Sequence, residues 1–385
     1  MAETTISTSS ERPPRPTPSL ADRLRDWRSG LVARPGFQAL AARLPFVKRI
    51  AAGQTRALFD LTSGFIYSQV LFSCVELGLF DKLKAEPATT AEIAAMCRLN
   101  RRAANLLTTA AAELKLIRKA RDGRWRLDDF GAVVAGNAGI AAMIRHHAML
   151  YRDLADPLAL LSGNAGRTET ADFWAYAGGR ADEVTDAGAG VYSDLMGLSQ
   201  DLVAEEVLSA YPAGRHNVVL DVGGGDGAFL RALGARSRKP QLWLFDLPAV
   251  APLAEERFAK ADLADRASIH SGDFFSDPLP FGADLVTLIR IVCDHDDDAV
   301  VALLRNLHRS MHRDATLLIA EPMAGPEGGA GSAAAYFSFY FLAMKSGRCR
   351  SPAELTELLE KAGFSGIEWR TTRRPIFASV IVAHP

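Results

Sequence analysis

An apolar run of strand length, residues 218–222, leads into Gly223-Gly224-Gly225-Asp226-Gly227 and then into a helix-forming stretch from Ala228. Strand, glycine loop and helix in that order commit the chain to a parallel α/β layout. The glycines allow a tight turn and let the backbone approach a ligand closely. The rhythm repeats downstream. Residues 242–245, 267–270, 285–289 and 316–320 read as further strands, with helical stretches between them that include 249–260 and 297–312. Such alternation predicts a parallel sheet covered on both faces. The end differs: residues 367–370 and 376–382 flank a short Arg/Pro turn, which predicts an antiparallel hairpin.

The glycine loop alone does not separate one nucleotide-type ligand from another. Three acids do. Asp221 lies at the end of the first strand, before the glycines. Asp246 ends the next strand in Leu244-Phe245-Asp246-Leu247-Pro248, where a carboxylate can accept hydrogen bonds from both ribose hydroxyls. Gly272-Asp273-Phe274-Phe275 follows the third strand, offering an acid to an adenine amino group and an aromatic to its ring. Acids at three successive strand ends predict S-adenosylmethionine rather than NAD. With the terminal hairpin, they predict a class I methyltransferase (Rossmann-like) sheet.

The N-terminal half is organised differently. Residues 57–80 have helical periodicity. A threonine cap signal at Thr89-Thr90 precedes a short helix, and a third, Ala/Leu-rich helix spans about 101–114. Asp122-Gly123 then marks a tight hairpin. Three helices and a hairpin make a winged-helix-like pattern, which raises a non-enzymatic alternative, a cofactor-binding regulator on DNA. The third helix reads RRAANLLTTAAAELKL, with few side chains suited to reading base edges. It suits packing against another subunit better, so no nucleic-acid partner is expected. Residues 138–212 read as helical with glycine breaks, a linker lining the substrate pocket.

The 385 residues carry a net charge of −1 and are 48% apolar, which gives ample core and no overall pull toward nucleic acid. The four cysteines, Cys74, Cys97, Cys293 and Cys349, have spacings that suit neither a disulfide framework nor a zinc site, so a cytoplasmic location is expected. The first twenty residues, rich in Ser, Thr and Pro, are expected to lack fixed structure and do not read as a secretory signal. The apolar stretch over 64–80 reads as too short and too polar to span a bilayer. Residues 12–56 hold ten Lys or Arg against Asp22 and Asp26, interleaved with Trp27, Leu31, Phe37 and other apolar residues. Such a basic amphipathic arm can lie on an anionic membrane surface or wrap a partner subunit.

DVGGGDG, FDLP, GDFF, the acid-rich segment 294–298 and Ala320-Glu321-Pro322 resemble the plant and bacterial family of dimeric O-methyltransferases over about residues 60–385. Ser63-Gly64-Phe65-Ile66-Tyr67-Ser68-Gln69-Val70, Leu77-Gly78-Leu79-Phe80-Asp81 and Arg290-Ile291-Val292-Cys293-Asp294-His295-Asp296-Asp297 are similar to its carotenoid branch, which acts on hydroxyneurosporene or demethylspheroidene. The resemblance implies a homodimer that methylates the tertiary hydroxyl of a 1-hydroxy acyclic carotenoid, in the spheroidene and spirilloxanthin pathways. Another pigment, such as a bacteriochlorophyllide methylated at carbon, or a small phenol stands as the alternative acceptor. The implied organisation is an arm over 1–55, a dimerisation domain over 56–137, a linker over 138–212 and a cofactor-binding domain over 213–385. Matching family contacts residue by residue adds Tyr192 and Met196 around the methyl group, Asp246 and Leu247 at ribose and adenine, Asp273 and Phe274 at adenine, and Arg290 at the fourth strand end. Gly223 and Gly225 complete the loop.

One departure stands out. The family base, a histidine, is replaced here by Cys293, whose thiolate is far too weak a base for a tertiary alcohol. Three readings stay open: His295 takes the proton, Asp294 does, or no dedicated base exists. Glu321 and Glu354 match the family acids that orient the base, kept here for packing or for a bond to His295. The run Asp294-His295-Asp296-Asp297-Asp298 invites a Mg²⁺ reading, but acids opening a helix favour its dipole and cap its free N–H groups, so no metal is expected. His146-His147 lacks ligand spacing and reads as pocket wall or surface. Phe337, Phe339, Tyr340, Phe341, Met344, Met143 and Met149 offer either simple core or an adaptable apolar surface for a lipid-like substrate.

Overall fold

The computed structural model describes residues 19–41, 45–174, 200–325 and 331–385. Tyr192 and Met196 lie outside them. The chain divides into two compact units, Met1–Val70 and Leu71–Pro385.

The first unit carries α1 (Leu20–Val32), α2 (Pro35–Ala41) and most of α3 (Pro45–Glu76). Ser19 opens α1 with a reciprocal capping box: its hydroxyl accepts the Asp22 N–H, and the Asp22 carboxylate accepts from the Ser19 N–H. No residue of α1 is buried. In α3, Arg49–Glu76 is long and apolar enough, by length and composition only, to cross a membrane. The expectation for residues 64–80 measured only the C-terminal part of this helix, which is continuous back to Pro45.

In the second unit, α4 (Leu79–Ala85), α5 (Thr90–Met96) and α6 (Arg101–Glu113) precede the antiparallel pair β1 (Ile117–Lys119) and β2 (Trp125–Leu127). Thr89 and Glu92 cap α5 reciprocally, and Asn100 caps α6. The Trp125 indole donates to Thr90 Oγ1 at 2.9 Å, which pins the hairpin to α5. Next come α7 (Asp129–Ala135), α8 (Ala138–Asp153), α9 (Pro157–Leu161), α10 (Glu169–Phe173) and α11, described over residues 200–210.

The main sheet has seven strands in the order β5-β4-β3-β6-β7-β9-β8. The strands β3 (Val218–Val222), β4 (Gln241–Asp246), β5 (Ala267–Ser271), β6 (Leu285–Ile289) and β7 (Thr316–Glu321) run parallel. The last strand, β9 (Ser379–His384), inserts antiparallel between β7 and β8 (Ser365–Arg370). Helices α12 (Ala228–Arg236), α13 (Ala251–Lys260), α14 (Asp297–Ser310), α15 (Gly331–Met344) and α16 (Pro352–Ala362) complete the unit. Successive residues of β3 serve opposite faces. Val219 packs with Phe229, Leu230 and Phe258 of α12 and α13, while Leu220 packs with Leu303, Leu307 and Leu359 of α14 and α16. A sheet buried on both faces explains the continuous apolar runs.

The final strand begins at Ser379, not at 376. Thr372 Oγ1 donates to the Ala378 carbonyl, and Arg374 is held by the Glu206 carboxylate through its N–H and its Nε. Those bonds keep residues 372–378 out of the ladder.

Candidate cofactor and acceptor site

The loop after β3 is built for close approach. Gly225 has φ +59°, and a Cβ there would face open space. Gly223 has φ +71°, and a Cβ there would come within 2.6 Å of Ile291 Cδ1 and 3.5 Å of the Phe274 ring. Both sit in the left-handed region that side chains avoid.

The strand-end acids meet around this loop. One carboxylate oxygen of Asp246 accepts the Gly225 N–H at 2.7 Å and the other accepts the Leu247 N–H at 2.7 Å. Each retains acceptor capacity for a further hydroxyl. Burial raises the pKa of this carboxyl. Asp221 is buried, and its Oδ1 accepts the Thr287 hydroxyl at 2.6 Å. Its Oδ2 is buried with no hydrogen-bond partner among the described residues. Burial pushes this carboxyl up to about 7, against the Thr287 bond and with the charge of Asp246 adding. Asp273 accepts the Phe275 N–H at 2.8 Å, which tightens the turn that presents Phe274. An orphaned buried oxygen, an open glycine face and a half-buried aromatic on one side of the sheet fit S-adenosylmethionine. Asp246, Asp221, Asp273 and Phe274 are the groups that would hold it.

The segment after β6 is held tightly. Arg290 has φ +58° and donates its N–H to the Ala320 carbonyl at 2.8 Å. Burial opposes its charge, and Cys293, Asp294, Tyr340 and Glu321 around it more than offset that. Cys293 is buried, and burial first, then Glu321 and Asp294, push its thiol well above the usual range. It is therefore a protonated, apolar presence. Its Sγ lies 3.5 Å from Asp294 Oδ1, and Asp294 is itself buried.

The two matched glutamates serve the backbone. Glu321 Oε1 accepts the N–H groups of Ile291 and Val292 at 3.0 and 2.7 Å, so it holds the turn before Cys293. Burial pushes its carboxyl up to about 7. Glu354 forms a capping box with Ser351 at the start of α16 and pairs with Arg348 at 2.6 Å. His295 is buried, with its ring edge-on to Phe275 at 5.0 Å and to Phe274 at 5.8 Å. The structure thus sets His295 against the aromatics of the cofactor side.

The acidic run differs from its expected role as a set of side-chain caps. Asp296 is the N-cap of α14 without a side-chain cap bond, and its Oδ1 accepts instead from the Gly347 N–H at 3.0 Å. Asp297 takes Arg348 and Arg350, and the Arg348 bond holds its carboxyl down at about 2. Arg350 is fully buried and also donates to the Val292 and His295 carbonyls at 2.8 and 2.7 Å. This arginine clamp escaped sequence reading. Its only trace is a pair of basic residues just ahead of the Ser351 cap.

An apolar cluster lies on the other side of Cys293. Leu150, Leu160, Trp174, Tyr340, Phe341 and Met344 pack with it, and Tyr336 and Phe337 lie at its edge. Two adjacent histidines, expected on a wall or surface, contact its tyrosines. His146 is buried, 2.5 Å from the Tyr340 hydroxyl, which also accepts the Trp174 indole N–H at 2.7 Å. Burial pushes His146 down to about 4. His147 Nε2 lies 2.7 Å from the Tyr336 hydroxyl.

Comparison with known proteins gives two family models on this chain. An O-methyltransferase dimerisation domain matches residues 59–135, and an O-methyltransferase domain matches residues 151–365. A demethylspheroidene O-methyltransferase of Cereibacter sphaeroides is 42% identical over 351 residues, covering 90% of this chain and 91% of its own. One of Rhodobacter capsulatus is 42% identical over 342 residues, covering 89% and 85%. The crystal structure of human N-acetylserotonin methyltransferase in complex with SAM superposes with a TM-score of 0.73 at 23% identity, covering 86% of this chain and 97% of that one.

Proposed function

The chain belongs to the O-methyltransferase family that carries its own dimerisation domain and uses S-adenosylmethionine, and on that premise we propose that it methylates the tertiary hydroxyl of a 1-hydroxy acyclic carotenoid. The observation that carries this reading is the 42% identity, over nine-tenths of the chain, to a demethylspheroidene O-methyltransferase. The dimerisation domain supports a homodimer.

When bound, S-adenosylmethionine would supply the methyl group as a sulfonium, and the acceptor's hydroxyl proton would have to leave. This chain contributes positioning and exclusion of water. Asp246 and Asp221 fix the cofactor side of the site. The apolar cluster around Cys293, rich in aromatics, suits a long hydrocarbon acceptor. The buried, protonated Cys293 thiol offers no base of the kind that serves phenols, which weighs against a phenolic acceptor.

The arm supports work at a lipid surface, a cytoplasmic enzyme at the face of the photosynthetic inner membrane. Leu20, Leu24 and Trp27 of α1 are all more than two-thirds exposed and recur at helical spacing, flanked by Arg23, Arg25 and Arg28. The deciding experiment offers labelled cofactor with 1-hydroxycarotenoids, a bacteriochlorophyllide and a catechol.

A further inference from the structure

We propose that Tyr336 and His147 form the catalytic pair that receives the acceptor's hydroxyl proton, in place of an imidazole at position 293. The inference rests on the reading of the site as one that methylates a hydroxyl group.

Hydrogen-bond logic assigns the roles. His147 Nδ1 contacts the Met143 carbonyl one turn earlier in α8. A carbonyl only accepts, so Nδ1 carries the proton and Nε2 has a free lone pair. The Tyr336 hydroxyl, 2.7 Å away, must then donate to Nε2. Its oxygen is left able to accept one more O–H. The tautomer is thus fixed by the helix backbone, and it points a base at a phenol.

Position favours this pair over its neighbours. Tyr340 and His146 are buried, and Tyr340 already accepts from Trp174. Tyr336 and His147 are only half-buried. Tyr336 packs at the edge of the apolar cluster that contains Cys293, the position of the family base.

The electrostatics agree. Burial holds His147 below the usual imidazole range, partly offset by the Met143 bond, so it is neutral at pH 7. Burial raises the Tyr336 phenol, and the Arg290 cation opposes that rise. Among the described residues, the titratable and charged groups facing the pair are His146 and Tyr151 from α8, Tyr340 from α15 and Arg290 from the end of β6.

The step balances. The acceptor oxygen gains a methyl group and gives its proton to the Tyr336 oxygen, while Tyr336 gives its own to His147 Nε2. The positive charge that enters on the sulfonium ends on His147 as imidazolium, which releases the proton to water before the next turnover.

The test is kcat against pH at saturating cofactor and acceptor for wild type, Tyr336→Phe and His147→Gln, using whichever acceptor the wild-type enzyme methylates. A non-carotenoid acceptor overturns the carotenoid reading and leaves this test intact. Wild-type kcat is expected to fall on the acid side, below the usual imidazole range of ~6.5. Tyr336→Phe is expected to lose roughly 100-fold or more in kcat, within the span of general-base contributions, with cofactor affinity changed by no more than about twofold. His147→Gln is expected to show a similar loss and to lack the acid limb. A kcat within about threefold of wild type in Tyr336→Phe, or an acid limb that persists in His147→Gln, overturns the proposal. Tyr336→Phe keeps the ring and decides the matter alone if His147→Gln does not fold.

Discussion

The carboxylate of Asp246, at the end of β4, accepts the backbone N–H of Gly225, in the loop after β3, at 2.7 Å. One acid therefore shapes the glycine loop and remains available to a ribose. Replacing it removes both effects. Asp246→Ala is expected to weaken cofactor binding by roughly 10- to 100-fold, the range for losing a charge-assisted hydrogen bond, and Asp246→Asn by less. Calorimetric titration with S-adenosylmethionine checks this, and unchanged affinity in Asp246→Ala removes the residue from the site.

Asp221 predicts a pH dependence of stability. In the unfolded chain its carboxyl ionises at the ordinary aspartate value, 3.8, and in the fold at about 7. Between those values folding takes up a proton, so this group makes stability decline as pH rises from about 4 to about 7. Glu321, pushed to about 7 by burial, acts with the same sign. Thermal melts of the cofactor-free protein are expected to show the decline, with a shallower slope in Asp221→Asn. An identical slope in the variant contradicts the assignment.

His295 separates two accounts of proton removal. Its ring packs on Phe274 and Phe275, beside the cofactor loop. His295→Ala is therefore expected to raise the KM for S-adenosylmethionine while kcat stays within about fivefold of wild type. A fall in kcat of about 100-fold at saturating cofactor instead makes His295 the base.

The arm predicts lipid binding. Trp27 and Leu24 of α1 are exposed beside arginines. Full-length protein is expected to co-sediment with vesicles rich in anionic lipid, to release as salt rises, and to lose binding on Trp27→Ser with Leu24→Ser. Binding unaffected by those changes rules out α1 as the contact.

Much of the fold was legible because it depends on local patterns. The strand runs, the Asp122-Gly123 turn and the Thr89 cap each act over a few residues, and the structure places elements where they predict. The strand ends also brought Asp221, Asp246 and Phe274 together, since parallel strands deliver their C-terminal ends to one edge. What escaped depends on contacts far apart in sequence. Arg350 is 53 residues from Asp297 and 55 from His295. Tyr336 and His147 are 189 apart. No periodicity announces such pairs. Glu354 shows the reverse case, a residue matched to a site role that local chemistry has taken up in a cap.

The central claim is tested most directly by the product. Purified enzyme with methyl-labelled S-adenosylmethionine and a 1-hydroxy acyclic carotenoid, beside a bacteriochlorophyllide and a catechol, is followed by mass spectrometry and NMR of the labelled species. A labelled methyl ether on the carotenoid's tertiary hydroxyl is the predicted result. Label on the catechol or on a macrocycle carbon, with none on the carotenoid, contradicts it.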